Sequence, residues 1–359
     1  GINDTIMIEP SKRQQEILRL FLVAGEDTLS SSRVHAELVK TGEDISLVSV
    51  KRELSRMAVA GLLRASGNGR SRAYGIGIAG RMASAVGAAA YCATEPDKRY
   101  GLDRFNFDLF PAWPADIFSP SEDNALAQAT SEYRRRTADL PPAIAKKELE
   151  RLLIELSWKS SKIEGNTYTL LDTEKLIMEH TEAPGHDKKE AIMILNHKDA
   201  FQFIHEHAKE FTTLTRVNLE EVHRLLVKDL SVGFGLRQKP VGVIGSKYRP
   251  LDNRYQIAEA VDALAQAVAK AETPYAKALT ALLGISYIQP FEDGNKRTAR
   301  LMVNALLLAH HCAPLSYRSV DEKEYREAVL VFYELLSIIQ FKRIFVEQYT
   351  FAAKNYAMQ

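Results

Sequence analysis

One twelve-residue segment, Gln289–Arg300, constrains this chain more than any other part of its sequence. Before it, Leu, Ala and aromatic residues recur at helical spacing over Tyr275–Tyr287, which predicts a largely buried helix that ends near Gln289. Pro290 breaks this pattern, and Arg297–His311 predicts a second helix rich in Leu and Ala. The intervening loop therefore lies against a helix N-terminus, where free N–H groups make a ready site for anions.

The side chains of this loop suit a phosphate group. Gly294 lets the backbone come close to a ligand, and Asn295 can donate to a phosphate oxygen. Three cations follow. Arg297 and Arg300 share one face of the helix because they are three residues apart. The three cations are Lys296, Arg297 and Arg300.

Asp293 is predicted to be the acid that faces these cations. A single carboxylate beside phosphate oxygens is how Mg2+ is usually held in such sites, with water completing its coordination. A salt-bridged helix start that binds nothing would have the same spacing. From the residues alone, both interpretations remain open.

The segment resembles the active-site signature of the Fic family, His-x-Phe-x-Asp/Glu-Gly/Ala-Asn-Gly/Lys-Arg-x-x-Arg. Every fixed position matches except the first, where Gln289 stands in place of histidine. The resemblance implies a Fic-fold helical core that binds ATP and Mg2+ and transfers AMP to a hydroxyl of a target protein or of the chain itself. Family members mostly use the histidine as a general base, and a neutral amide cannot take up a proton near neutral pH. We therefore expect nucleotide binding with impaired chemistry.

A second segment, Ser160–Asn166, resembles the inhibitory motif of the same family, Ser/Thr-x-x-x-Glu-Gly/Asn, which begins here at Ser160. Gly165 fits a C-terminal helix cap, so Glu164 lies at the negative end of a helix and should seek a cation. The resemblance supplies Arg300 as that cation and implies that the pair blocks the space of the γ-phosphate. Without the resemblance, Glu164 could equally be an exposed side chain at a frayed helix end.

The transferred group remains open between two branches. Lys296 stands where the commonest Fic signature has glycine, and a lysine there resembles the Doc branch, which phosphorylates its target. The presence of Arg300 and of the Glu164 motif favours AMP transfer. A Doc-like protein kinase is therefore the alternative enzyme.

The segment Gly235–Pro250 predicts a short β-hairpin, because valines precede a turn at Ile244 and Gly245. Fic proteins have a β-hairpin flap at this place, which clamps the target by main-chain pairing. The resemblance thus assigns target binding to Val243, Ile244 and Gly245. An ordinary surface hairpin would show the same pattern.

Residues 10–78 predict a winged helix-turn-helix domain, because three helical patterns are followed by a hairpin turn at residues 66–70. This region has 11 Lys and Arg against 7 Asp and Glu, an excess of four positive charges. Duplex DNA is a candidate partner, which would make the chain a transcription regulator that senses nucleotide; docking on protein is the alternative. The predicted phosphate contacts are Lys51, Arg52, Arg56, Arg70 and Arg72.

The fold class expected for the whole chain is mainly α. Residues 79–123 predict a connector that packs on the core, and residues 124–359 predict the Fic domain with its inhibitory helix. Two cysteines in 359 residues fit a reducing cytoplasm, and no run of about 18 apolar residues predicts a membrane helix. The start of the chain lacks the basic region of a signal peptide. The connector aromatics are Phe105, Phe107, Phe110, Trp113 and Phe118.

Overall fold

The structure is a computed structural model that describes residues 7–357, with the side chain of Arg70 left out. The contacts of these residues divide them into two units. The first unit holds the described residues up to Ile117, together with Val243–Arg249 and Glu327–Lys342. The second unit holds Phe118–Gly242, Pro250–Arg326 and the described residues from Arg343 onward.

The described residues are mainly helical, as expected, with one small sheet. The first elements are α1 (Lys12–Ala24), β1 (Leu29–Ser30), α2 (Ser31–Lys40), α3 (Leu47–Val59), β2 (Leu63–Ser66), β3 (Ala73–Ile76), α4 (Ile78–Met82) and α5 (Ala88–Cys92). The next are α6 (Pro120–Thr137), α7 (Pro142–Ile163), α8 (Leu170–Glu179), α9 (Lys188–Glu206) and α10 (Arg216–Leu226). The last are α11 (Arg254–Lys270), α12 (Pro274–Ile288), α13 (Asn295–Ala309), α14 (Glu322–Leu335) and α15 (Ile339–Asn355).

The N-terminal part of the first unit contains three helices and an antiparallel sheet of order β1-β3-β2. A capping box of Ser11 and Gln14 starts α1, because each side chain bonds the backbone N–H of the other residue. The predicted hairpin is confirmed: β2 pairs with β3 so that Leu63 lies opposite Ile76. The inward faces of α1 and α3 carry buried residues, which are Ile17, Leu18, Phe21, Leu22, Val50, Leu54 and Met57.

The connector aromatics are mostly buried. In the first unit, Phe105, Phe110 and Trp113 are at most 9% exposed, and Trp113 meets Phe332 edge-on at 6.2 Å between ring centroids. Phe107 is the exception at 56% exposed. The fifth aromatic, Phe118, belongs to the second unit and is buried there.

The core of the second unit is built around α12, which is buried along almost its whole length. A helix of this kind must lie among other helices rather than at the surface. Its neighbours include α11 and α13. Gly284 permits the close approach to α11, because a Cβ atom there would come within 2.2 Å of the Leu264 side chain. This buried helix ends next to Gln289 and so gives the following loop a rigid support.

The β-hairpin predicted for Gly235–Pro250 is not formed, and this expectation was wrong. The turn itself is present, since Ser246 donates its N–H to the Val243 carbonyl at 3.2 Å and Gly245 has φ 78°. No strand ladder flanks it in the described part of the chain. Pro240 cannot donate to a ladder, and Gly242, just before the turn, weakens an extended conformation. Ile244 is 99% exposed at the tip.

Candidate functional site

The loop between α12 and α13 begins and ends in left-handed backbone. Gln289 follows the last residue of α12 with φ 52° and ψ 58°, and Gly294 precedes α13 with φ 78°. The helix boundaries predicted on either side of Pro290 are therefore confirmed to within two residues. The N-terminus of α13 has no side-chain cap on Gly294, so its first N–H groups face the loop.

Asn295 holds this loop in shape. Its side-chain carbonyl accepts from the Phe291 N–H at 2.8 Å, and its amide nitrogen donates to the Phe291 carbonyl at 2.9 Å. Donation to a phosphate, which the sequence predicts for this side chain, stays a prediction. In the structure the side chain satisfies the backbone of a buried turn, a role that the sequence analysis did not include.

His223 is a second support of the loop that sequence reasoning missed. Its ring stacks on Phe291 with centroids 3.7 Å apart and planes 7° apart, and its Nε2 lies 2.9 Å from the Asp293 carbonyl oxygen. Burial lowers the pKa of His223 to about 4, so the ring is neutral near pH 7. A neutral ring with Nε2–H donating to Asp293 accounts for this contact.

The two arginines of the loop are both buried, although guanidinium groups are seldom fully removed from water. Among residues 7–357, Arg297 has one salt-bridge partner, Asp293, at 3.5 Å, and that carboxylate is 66% exposed. Nη1 of Arg297 is buried with no hydrogen-bond partner among residues 7–357. Burial lowers the pKa of Arg297, which reflects the cost of keeping this charge with so few partners.

Glu164 lies at the C-terminal end of α7, followed by Gly165 at φ 100°. The pairing that the resemblance implied is present: Arg300 Nη1 donates to Glu164 Oε1 at 2.9 Å. A second cation, Lys296, places its Nζ 3.3 Å from Glu164 Oε2. Burial alone would raise the pKa of Glu164, but Arg300 and Lys296 outweigh it and hold that pKa below its ordinary value.

Ser160 completes the surroundings of Arg300. Its hydroxyl accepts from Arg300 Nε at 2.9 Å, and its carbonyl accepts from Nη2 at 2.8 Å. His197 Nε2 lies 2.8 Å from the same hydroxyl, and burial lowers the pKa of His197 well below its usual value. Each nitrogen of the Arg300 guanidinium thus has an acceptor, which fixes its direction towards Glu164.

The backbone at position 289 is held by Arg237, a residue that the sequence analysis did not single out. Arg237 Nε donates to the Gln289 carbonyl at 2.6 Å, and its backbone N–H donates to the Pro290 carbonyl at 3.0 Å. The Gln289 side chain is 8% exposed, and its Nε2 donates to the Ser286 carbonyl at 2.6 Å. The amide therefore points back along α12.

The first unit contains the predicted target-binding residues, Val243, Ile244 and Gly245, as part of Val243–Arg249. The loop before α13 and α13 itself belong to the second unit. Within the first unit, buried Glu334 holds the turn by accepting from the Ser246 hydroxyl at 2.7 Å. Arg99 bonds both Glu334 and the Gly245 carbonyl, at 2.9 and 3.1 Å.

Four of the five predicted DNA contacts can be placed. Lys51, Arg52 and Arg56 are exposed on α3, and Arg72 is exposed beside β3. The side chain of Arg70 lies outside the described part of the structure. No ion pair is seen for Lys51 or Arg52 in that part, while Arg56 lies 3.5 Å from Glu53.

No helix within residues 7–357 is both long and apolar enough to cross a membrane.

Comparison with known proteins links this geometry to a family. Residues 213–307, which include the loop and most of α13, match the family model described as Fic/DOC family. "Protein adenylyltransferase Fic" of Nematostella vectensis is 25% identical over 211 residues, 57% of this chain and 49% of that protein. "Protein adenylyltransferase fic-1" of Caenorhabditis briggsae is 24% identical over 209 residues, 56% of this chain and 41% of that protein. These matches support a Fic-family domain.

Solved structures support the Fic fold in this chain. Fic-1 from C. elegans has a TM-score of 0.57 at 18% identity, covering 66% of this chain and 72% of that one. A Fic domain containing signaling protein from Bacteroides thetaiotaomicron has a TM-score of 0.55 at 21% identity, covering 64% of this chain and 94% of that one. The chain spans about half the length of its curated Fic relatives, or less.

Proposed function

We propose that the Fic domain of this chain binds Mg-ATP and transfers AMP to a protein hydroxyl, slowly and under inhibition. The names of the curated relatives support AMP transfer at the level of the family. The observation that carries the proposal is the pair of buried arginines at the start of α13. One of them, Arg297, has a nitrogen without a hydrogen-bond partner in the described part of the chain. An anion placed there would satisfy a charge that the fold keeps out of water.

In this proposal the nucleotide phosphates lie against the N-terminus of α13. Gly294 lets a phosphate group approach the backbone closely, and Lys296 and Arg297 provide positive charge. Mg2+ fits beside Asp293, whose carboxylate is two-thirds exposed and can share the ion with phosphate oxygens and water. Bound there, Mg2+ would neutralise phosphate charge, while Asn295 keeps the loop in the binding shape.

Glu164 is the proposed inhibitor. Its carboxylate forms a salt bridge with the guanidinium of Arg300, so a γ-phosphate and Glu164 would compete for one cation. Ser160 directs Arg300 towards that position, and Gly165 lets the chain turn away directly after it. Displacement of Glu164 is then a condition for productive ATP binding.

Gln289 is the proposed site of impairment. Its amide can hydrogen-bond a target hydroxyl but cannot hold the proton, and general-base help is typically worth about 10²–10⁴ in rate. Nucleotide should therefore bind and turn over slowly. Target docking on the turn at Val243, Ile244 and Gly245 belongs to the same proposal, although it lacks the expected ladder.

The proposal is tested by calorimetry with Mg-ATP on the full chain and on its Glu164→Gly variant. Glu182→Gly, an exposed carboxylate removed from a loop, is the matched control. Binding that strengthens in the first variant and not in the second supports the proposal. Absence of nucleotide binding in all three proteins would refute it.

The Doc-like alternative rests on Lys296 and predicts a different product. The full chain carrying Glu164→Gly and Gln289→His is incubated with Mg-ATP and a lysate, and the intact masses of modified proteins are measured. An added AMP supports adenylyl transfer, whereas an added phosphate supports a kinase.

A second candidate function is DNA binding by a winged helix-turn-helix domain over residues 10–78. The exposed cations of α3 and the β2–β3 hairpin favour it. A duplex shift assay with the full chain should detect weak, salt-sensitive binding that is lost when Lys51, Arg52 and Arg56 are changed to glutamine. Lys40→Gln, which changes an exposed lysine of α2, is the control and should keep the binding. Binding whose strength does not change with salt concentration would favour docking on protein instead.

A further inference from the structure

Glu164 is held by two cations that differ sharply in exposure. Arg300 is fully buried, its other nitrogens are bonded to Ser160, and it contacts one carboxylate oxygen. Lys296 contacts the other oxygen, and its side chain is 34% exposed. Glu164 itself is 20% exposed. Glu164 is thus held by one cation, Arg300, that is fixed inside the protein, and by a second, Lys296, that solutes can reach.

We propose that Lys296 is a second tether on Glu164 and is the arm that an arriving nucleotide detaches first. This inference deepens the proposed nucleotide-binding function and rests on it. Lys296 lies in the first turn of α13, where anions are favoured, so a phosphate group and the Glu164 carboxylate compete for the same ammonium. A phosphate carries more negative charge than a carboxylate and takes the lysine, which leaves Glu164 held by Arg300 alone.

The test compares how strongly Glu164 inhibits when Lys296 is changed. We define the strength of inhibition as the affinity for Mg-ATP with Glu164→Gly divided by the affinity with Glu164 present. This ratio is measured by calorimetry in the full chain and in Lys296→Met, which keeps the length of the side chain and removes its charge. Lys296→Arg keeps the charge.

Lys162→Met is the matched control for a general loss of positive charge. Lys162 lies two residues before Glu164, but its Nζ contacts Glu322, at 3.6 Å. If Lys296 is a tether, Lys296→Met lowers the ratio about 1.5- to fivefold, the range expected for a partly exposed ion pair. Lys296→Arg and Lys162→Met leave the ratio unchanged.

An equal ratio in Lys296→Met and the parent overturns the tether and leaves nucleotide binding intact. An equal fall in Lys162→Met also overturns it, because the effect would then be one of overall charge. If no variant binds ATP, the proposed function fails, and the tether is tested without ligand. Carboxyl NMR should then show that Lys296→Met raises the pKa of Glu164, and an unchanged pKa contradicts the tether.

Discussion

Replacing Glu164 by glycine should destabilise the unliganded protein and strengthen its response to ATP. Both effects are expected from one carboxylate, which neutralises buried Arg300 in the free protein. In the proposed function, the same carboxylate competes with phosphate for Arg300. Removing one partner of a fully buried pair typically costs about 3–5 kcal/mol. Here Glu164 is 20% exposed and Arg300 keeps two bonds to Ser160, so we expect a loss of about 1–3 kcal/mol.

Bound ATP should offset most of this loss. A ligand at about 100 times its dissociation constant stabilises a protein by about 2.7 kcal/mol. Under the proposed inhibition, the same ATP must first displace Glu164 in the parent chain, so its stabilising effect there should be smaller. When Mg-ATP is added, the stability of Glu164→Gly should therefore approach or exceed that of the parent.

The assay is thermal unfolding of the parent and Glu164→Gly, each with and without Mg-ATP. Glu182→Gly controls for adding a glycine and removing a negative charge at the surface. A variant as stable as the parent without ATP would show that the ion pair contributes nothing to folding. An ATP shift no larger than that of the parent would show that Glu164 does not compete with nucleotide.

Three further outcomes follow from the contacts of the site. Arg297→Met should weaken ATP binding roughly ten- to hundredfold in calorimetry, because a charge-assisted phosphate bond is worth about 1.5–3 kcal/mol. Asn295→Ala should lower the free energy of unfolding by about 1–3 kcal/mol in urea, since it leaves the Phe291 backbone unsatisfied. His197 is buried with a lowered pKa, so its contribution to stability is full above about pH 6.5 and declines below it, where the unfolded chain takes up a proton. His197→Gln should reduce this pH dependence in urea unfolding from pH 5 to 8, whereas the exposed His311→Gln should not.

Helical periodicity predicted the α12–α13 pair because a buried helix and a helix start that follows a glycine leave local signals. Apolar spacing, Pro290 and Gly294 lie within a few residues of the features that they determine. The contact between Glu164 and Arg300 spans 136 residues and was expected only through the resemblance to the Fic family. Nothing local to Glu164 distinguishes it from a glutamate at a frayed helix end.

Several supports of the site left no signal in the sequence because they act on backbone groups. His223 and Arg237 bond to the carbonyls of Asp293 and Gln289, and any residue at those two positions offers the same acceptor. The flap was mispredicted for a related reason. A hairpin depends on pairing between its two arms, and the valines of this segment show only that an extended conformation is possible.

The same backbone contacts predict what placing a histidine at position 289 will do. The carbonyl of residue 289 is held by Arg237 and its N–H by the Ile285 carbonyl at 3.1 Å, so neither bond depends on the side chain. The left-handed backbone there is one that histidine tolerates better than most residues. Gln289→His should therefore leave ATP affinity within about twofold and, combined with Glu164→Gly, increase AMP labelling about 10²–10⁴-fold over Glu164→Gly alone. A double variant that binds ATP equally well and still transfers no AMP would mean that the missing base is not what limits this protein.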